Sequence, residues 1–240
     1  VTPGLLDLYC GAGGSGKGYH DAGFTVFGVD IENQPRYPYG FMRMDALEYL
    51  DNLILSKEAG LSIPFVAVHA SPPCQAWSDL QKQNKREYED FIGRTRERLL
   101  RLGLPYVMEN VDGAPLVDPV RLCGASDAFP ELRVIRHRLF ESNFPLVGTP
   151  CPKPRHPLVF THDKRKPHYG NLDENTSYVQ VTGGGNCSVA NARDAMGIDW
   201  MLKKELNEAI PPAYTRFVGE QLMAHLEMPA TALDSPTLSV

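Results

Sequence analysis

Leu5-Leu6-Asp7-Leu8-Tyr9 runs directly into Cys10-Gly11-Ala12-Gly13-Gly14-Ser15-Gly16-Lys17-Gly18. The first five residues read as a strand, the next nine as a glycine-rich turn, and residues 19–22 as the continuation of a short helix. Strand, glycine turn and helix in that order is how an α/β sheet brings backbone N–H groups against a ligand. Residues 11–17 also satisfy most of a phosphate-binding G-x-x-x-x-G-K loop. Such a loop needs Ser or Thr next, to hold magnesium through its hydroxyl. Gly18 stands there, which counts against a nucleoside triphosphatase.

The flanking residues fit a nucleoside ligand instead. Thr25-Val26-Phe27-Gly28-Val29 reads as a second strand ending at Asp30. An acidic residue at the tip of the second strand is where a ribose diol is held. Ile31 is apolar and suits packing on an adenine face. Asp45 follows a short strand-like stretch, residues 41–44, and reads either as the acceptor for an adenine amino group or as the N-cap of a helix over 46–55.

Further on, the apolar run Phe65-Val66-Ala67-Val68 enters Ser71-Pro72-Pro73-Cys74-Gln75-Ala76-Trp77-Ser78. Each proline fixes φ and restricts the residue before it, so Cys74 sits on a stiff support. Taken alone, the octapeptide reads equally as a turn with a buried cysteine or as a loop presenting a reactive thiol. Residues 88–102 have helical period, with Phe91, Ile92, Thr95, Leu99 and Leu102 on one side and Gly103 as a stop. Pro105-Tyr106-Val107-Met108 is a fifth strand that delivers Glu109-Asn110-Val111 to the carboxyl end of the sheet. Residues 134–140 alternate as a strand, with Arg136 and Arg138 on one face. Residues 145–186 are rich in Pro, His, Gly and basic residues without helical period, and read as a small loop-rich insert. Residues 189–196 are a short helix, 206–212 a turn, 214–226 a closing amphipathic helix, and 229–240 a frayed tail. There is no internal repeat.

The chain has 240 residues, 42% of them hydrophobic and 22% charged, ample for one substantial core. No apolar stretch is long enough to span a membrane and no secretory pattern is visible, so the expected location is the cytoplasm. Five cysteines (10, 74, 123, 151 and 187) suit free thiols better than a disulfide framework. The net charge of −5 does not advertise nucleic-acid binding, but the positive charge is unevenly placed. Lys82, Lys85, Arg86, Arg94, Arg96, Arg98 and Arg101 follow the Cys74 loop, and Lys153, Arg155, Lys164, Arg165 and Lys166 cluster later. Solvated helix and loop surface would explain most of these one by one. Cys151, His156, His162 and His168 have a spacing that suggests zinc, but no C-x-x-C pair accompanies them, so no metal is assigned.

Taken together, these motifs closely resemble the DNA cytosine-5 methyltransferase family. The resemblance rests on Asp7-Leu8-Tyr9-Cys10-Gly11-Ala12-Gly13-Gly14, with Tyr9 where Phe is usual, and on Ser71-Pro72-Pro73-Cys74-Gln75. It continues through Glu109-Asn110-Val111, Arg136-His137-Arg138 and Ala209-Ile210-Pro211-Pro212, all in order along nearly the whole chain. It implies a Rossmann-like α/β methyltransferase fold: a seven-stranded, mostly parallel sheet with helices on both faces and one reversed edge hairpin, the last motif folding back beside the first strand. The catalytic domain would comprise residues 1–144 and 187–228, with 145–186 as a target-recognition insert. S-adenosylmethionine would be the cofactor and S-adenosylhomocysteine the product.

By resemblance, Tyr9, Gly11, Ala12, Gly13 and Gly14 line the methionine and ribose region. Asp30 takes the ribose hydroxyls, Ile31 packs on adenine, Asp45 with Ala46 meets the adenine amino group, and Pro73 closes one side. Glu208 and Ile210 complete the methionine end. Cys74 is the nucleophile, Glu109 the acid, and Arg138 the group that holds O2 of cytosine. Arg136 orients Glu109, contacts phosphate or makes a structural salt bridge, and Asn110 accompanies the glutamate. A cytosine must leave the duplex to reach such a pocket. Gln75 and Ser78, with Lys82, Lys85, Arg86, Arg155, Lys164 and Arg165, are placed to meet nucleic acid. Trp77 is either a mobile contact or a core anchor.

Three departures stand out: Val134 for a polar residue, Glu208 for Asn, and a short segment between Arg138 and Val189. The resemblance implies a monomer that methylates DNA, with restriction–modification among the roles. A tRNA cytosine-5 methyltransferase, or a modifier of single-stranded DNA or free deoxycytidine nucleotide, would share the same motifs.

Overall fold

Short, nearly continuous apolar runs, Leu5-Leu6, Ala67-Val68 and Tyr106-Val107-Met108, build a sheet whose two faces are both covered. The computed structural model describes residues 2–73, 90–153, 159–160, 173, 176–182 and 187–228. Cys74, Gln75, Trp77, Ser78, Lys82, Lys85, Arg86, Arg155, His156, His162, Lys164, Arg165, Lys166, His168 and the tail 229–240 lie outside the described residues.

The elements run β1 (Gly4–Leu8), α1 (Gly14–Asp21), β2 (Thr25–Asp30), β3 (Gly40–Arg43), α2 (Ala46–Glu58), β4 (Ala67–Ala70), α3 (Phe91–Leu102), β5 (Tyr106–Asn110), β6 (Val120–Cys123), β7 (His137–Ser142), β8 (Val159–Phe160), β9 (Tyr178–Val179), α4 (Val189–Met196), α5 (Lys203–Glu208) and α6 (Pro212–Glu227). The main sheet has seven strands in the order β3-β2-β1-β4-β5-β7-β6. Only β7 is reversed, antiparallel to both β5 and β6. The chain crosses from one half of the sheet to the other between β1 and β4. Ligands collect at such a switch point, outside the carboxyl ends of the strands.

Neighbouring β1 residues face opposite ways. Leu5 joins Tyr19, Phe24, Val26, Ala67, Val107, Phe140 and Tyr214 on the face covered by α1 and α6. Leu6 and Leu8 join Leu50, Ile54, Val68, Ile92, Leu99 and Met108 on the face covered by α2 and α3. A third cluster gathers Val134, Val179, Val181, Ala192, Ala195, Met196 and Leu206 with Ala12 of the glycine turn.

Four expectations change. The first helix begins at Gly14, so half of the glycine stretch is helical. Glycine is a poor helix former, but here it permits contact. A Cβ at Gly18 would fall on the carbonyl oxygen of Pro212 and the hydroxyl of Thr215 in α6. Thr215 in turn donates to the Ser15 carbonyl at 2.9 Å. The residue that breaks the phosphate-loop pattern is thus the one that lets α6 dock beside α1. Second, residues 203–208 are helical, and the helix takes in the first three residues of the turn expected over 206–212. Glu205 accepts from its own cap, Leu202 N, at 2.7 Å and takes a two-pronged ion pair from Arg36. Third, β7 starts only at His137, and Val134 sits in a single bridge to Val179. Arg136 and Arg138 therefore do not share a strand face. Fourth, Val159–Phe160 and Tyr178–Val179 pair as a small parallel sheet inside the expected loop-rich insert.

Candidate active site

The register sets the site. Leu8 lies opposite Ala70, and Ala70 opposite Met108, so the residues just beyond them, Tyr9, Ser71 and Glu109, emerge side by side at one edge. Asp30 ends β2 on the same edge, and β7, running the other way, brings its first residues there too.

On one side of the switch point the chain makes a cradle. Tyr9 and Gly11 both have positive φ, 56° and 49°. Tyr9 is not glycine, so its backbone carries strain there; its hydroxyl is tied to Thr95 of α3 at 2.8 Å. Gly11 N donates to Asp30 Oδ2 at 2.9 Å, and Glu32 N donates to Oδ1 at the same distance. A Cβ added at Gly11 would meet no atom within 4 Å, so the turn faces open space. Ile31, 61% exposed, stands beside it. An acidic strand tip, an apolar residue next to it and an open glycine turn suit a ligand with a ribose and an aromatic base.

Asp45 caps α2, accepting from Leu47 N and Glu48 N through Oδ1. Ala46 beside it is buried; Ile210, also buried, lies on the other face of the sheet with its carbonyl against Gly14, and Glu208 is exposed. Trp200 Nε1 donates to the Ala12 carbonyl at 2.8 Å, a brace on the glycine turn that the sequence reading missed. Asp7 lies beneath the turn, fully buried, accepting from Ser15 Oγ and Tyr37 OH at 3.0 Å. Burial pushes its carboxyl up to about 7.

On the other side stands Glu109, 5% exposed. Burial raises its carboxyl pKa, and Arg138, Arg136 and a hydrogen bond from Ser71 oppose that rise. Arg138 Nε is 2.8 Å from Glu109 Oε1. The approach is off the N–H direction, so the pair is ionic in distance while Oε1 still lacks a hydrogen bond. Unlike any other buried side-chain polar atom among the described residues, Oε1 has no hydrogen-bond partner. A buried carboxyl with an unused oxygen marks a position for a polar ligand group.

Behind Glu109 runs a chain that sequence reasoning did not find. Tyr19 is fully buried, and its hydroxyl meets His69 Nδ1 at 3.0 Å. His69 Nε2 meets Ser71 Oγ at 2.8 Å, and Ser71 reaches Glu109. Among the described residues Tyr19 has no other hydrogen-bond acceptor, so its proton goes to Nδ1. His69 then carries its proton on Nε2 and donates to Ser71, and Ser71 donates to Glu109. A neutral ring agrees with burial, which pushes His69 down to about 3.

Asn110 is occupied by the backbone: Nδ2 donates to the Pro72 carbonyl at 2.9 Å and Oδ1 accepts from Val111 N. It fixes the base of the segment that leads into Cys74. Pro73 is exposed beyond it. For Arg136, read as orienting Glu109, contacting phosphate or making a structural salt bridge, the hydrogen bonds go to backbone carbonyls. It is 7% exposed and donates to the carbonyls of Val181, Leu206, Asn207 and Ala209. Burial pushes its guanidinium down to about 9, and it ties the entry of β7 to the end of α5 and to the segment after β9.

Part of the expected basic surface is also spent within the fold. Arg96 pairs with buried Glu141, Arg98 with Asp51 and Arg101 with Glu58. An open cleft lined by Thr2, His20, Phe24, Thr25, Tyr39 and Gly40 lies at the opposite, amino edge of β2 and shares no residue with this site.

No protein-family model matches the chain. The Type II methyltransferase M.AgeI of Thalassovita gelatinovora is 27% identical over 124 residues, a match covering 45% of this chain and 28% of that protein. The chain therefore spans under a third of that relative's length. A prophage-encoded protein of E. coli, assigned as a DNA modification methyltransferase, superposes with a TM-score of 0.61 at 15% identity, over 95% of this chain and 100% of that one. The S. pombe Dnmt2 methyltransferase superposes with a TM-score of 0.55 at 12% identity, over 94% and 100%. The Entamoeba histolytica methyltransferase EhMeth gives 0.50 at 12%, over 95% and 100%. The chain has the Rossmann-like methyltransferase fold, and in the order of its motifs it is similar to the DNA cytosine-5 methyltransferases.

Proposed function

We propose that the chain transfers a methyl group from S-adenosylmethionine to C5 of a flipped-out cytosine in DNA, through a covalent bond between Cys74 and C6. The observation that carries this reading is Glu109: buried, raised in pKa, beside Arg138, and one register step from Ser71-Pro72-Pro73. The assignment of the prophage protein as a DNA modification methyltransferase favours DNA as the acceptor.

Cytosine C5 is too weak a nucleophile to take a methyl group unaided. Addition of the Cys74 thiolate to C6 opens the C5–C6 double bond and makes C5 enamine-like, which splits one hard step into easier ones. Negative charge moves to N3 and O2. Glu109 in its acid form gives its proton to N3, and Arg138 holds O2 against the developing charge. S-adenosylmethionine supplies a methyl group activated on a sulfonium, and the Gly11 turn, Asp30 and Ile31 would hold its adenosine. After transfer, the C5 proton leaves to solvent or a base, Cys74 is expelled, and Glu109 recovers its proton from N3.

The test is tritiated methyl transfer to duplex DNA, single-stranded DNA, tRNA and dCMP, with Cys74→Ala alongside. Incorporation at C5 of DNA, lost in the variant, is expected. Incorporation that survives Cys74→Ala refutes the covalent route, and transfer confined to tRNA or dCMP refutes the acceptor. DNA bearing 5-fluorocytosine should trap a denaturation-resistant adduct with the wild-type protein.

A further inference from the structure

Three chain segments bring Cys123, His137 and Cys151 together on the β6–β7 hairpin, at the same carboxyl edge of the sheet as Glu109 but on the far side of Arg138. Cys123 and His137 are directly opposed in the β6–β7 ladder, a relation that holds their Cβ atoms about 5 Å apart on one face. The segment after β7 is laid along β6 by two hydrogen bonds: Thr149 N donates to the Arg121 carbonyl at 3.0 Å, and Cys123 N donates to Thr149 Oγ1 at 3.3 Å. That places Cys151 against the same pair. Cys151 Sγ is 3.4 Å from His137 Nε2, and the three donor atoms all lie within 4.8 Å of one another. On the far side of the ring, Asp112 Oδ2 is 3.9 Å from His137 Nδ1, and Asp112 is itself held by Arg121 at 3.1 Å.

We infer that Cys123, His137 and Cys151 bind a zinc ion that clasps the segment after β7 onto the β6–β7 hairpin. Donor type and geometry both favour zinc. Two thiolates and one imidazole suit it, and tetrahedral bonds of about 2.3 Å to sulfur and about 2.0 Å to nitrogen separate donors by about 3.5–3.8 Å. The Cys151–His137 distance already matches, and small rotamer changes bring the third donor in. A carboxylate beside the other ring nitrogen is the usual outer partner of a zinc-bound imidazole, and Asp112 stands at ion-pair distance on that side. Cys123 is fully buried and Cys151 half-buried, so one face of the ion would be dry and the fourth position open to solvent. This differs from the spacing argument of the sequence, which grouped Cys151 with His156, His162 and His168. The inference stands independently of the proposed methyl transfer.

The test begins with the wild-type chain, purified under reducing conditions and loaded with Co²⁺ in place of Zn²⁺. Thiolate-to-cobalt charge-transfer absorption in the near ultraviolet and the strong visible bands of tetrahedral cobalt are expected. Displacement by zinc should then leave a single zinc per chain by mass spectrometry. Cys151→Ser, at the more exposed ligand, should lose the charge-transfer intensity of one thiolate and weaken zinc binding by at least about 100-fold. A chelator should lower the melting temperature of the wild type and not of Cys151→Ser. Absence of the cobalt spectrum in the reduced wild type overturns the site without reference to any variant. Undiminished zinc in Cys151→Ser overturns the ligand set. A thiol count short by two with no bound metal overturns it in favour of a Cys123–Cys151 disulfide.

Discussion

Replacing Asp7 by Asn removes one ionisation from the middle of β1, and its effect on stability can be worked in advance. Asp7 is 0% exposed, and burial lifts its pKa from 3.8 to about 7 despite hydrogen bonds from Ser15 and Tyr37. In the unfolded chain the group releases its proton near 3.8. Between these values the native state keeps a proton that the unfolded state has lost, so native stability falls as pH rises. The slope is about 1.4 kcal/mol per pH unit, and the loss totals about 4 kcal/mol once pH exceeds 7. His69 acts in the opposite sense. Its pKa is lowered from 6.5 to about 3, so its contribution is present above 6.5 and is lost as pH falls toward 3. In the overlap the two slopes cancel, and the wild-type profile hides both.

Asn keeps an oxygen acceptor for Ser15 and cannot ionise. The difference in unfolding free energy, Asp7→Asn minus wild type, should climb by about 4 kcal/mol between pH 4 and pH 8 and then level off. Any constant offset from altered hydrogen bonding does not affect that slope. Urea unfolding followed by circular dichroism at half-unit pH intervals measures it. A difference that stays flat across this range would mean that Asp7 ionises normally in the fold, and the reasoning would fail.

Other expectations follow from single contacts. Arg96→Ala leaves Glu141, 2% exposed in its side chain, without its two-pronged partner; unfolding free energy should drop by about 3–5 kcal/mol, with much of it recovered in the double variant Arg96→Ala/Glu141→Gln. Gly18→Ser restores the phosphate-loop pattern but drives a side chain into α6, so it should destabilise by about 3 kcal/mol and confer no triphosphatase activity in a phosphate-release assay. Ser71→Ala removes a donor that lowers the Glu109 pKa. Methyl transfer that needs Glu109 as an acid falls as pH rises through that pKa, so in Ser71→Ala the falling limb of the pH–rate profile should move to higher pH.

The parts of the fold set by local pattern were legible. Leu5 to Leu8, Asp30 at the end of β2, the Asp45 cap and the Gly103 stop all follow from periodicity and end-residue chemistry within a few positions. The errors arose where distant chain decides. The glycines of α1 argue against helix until α6, some 200 residues on, packs against them. Arg136 alternates with Arg138 as though both faced one site, yet its partners lie 45 to 73 residues away, and as carbonyls they leave no trace in side-chain pattern. His69 sits inside an apolar strand, where only its position two residues before Ser71 hints at a purpose. Cys123 and Cys151 share no short-range motif; strand register brings Cys123 to His137, and the hydrogen bonds of Thr149 bring Cys151 to both.

The polarity of the Tyr19–His69–Ser71 chain has a consequence for how Glu109 is charged with its proton. Each member already donates toward Glu109, so passing a proton forward would require Tyr19 to give up its own. Tyr19 is sealed from solvent, and burial puts its pKa well above 10. On the proposed reading, the back of the acid is a closed door, and its proton would be exchanged only from the front, where the base would enter. An arriving cytosine would shut that entrance as well, so the acid would have to be loaded before the substrate seats, protonation first and nucleotide second.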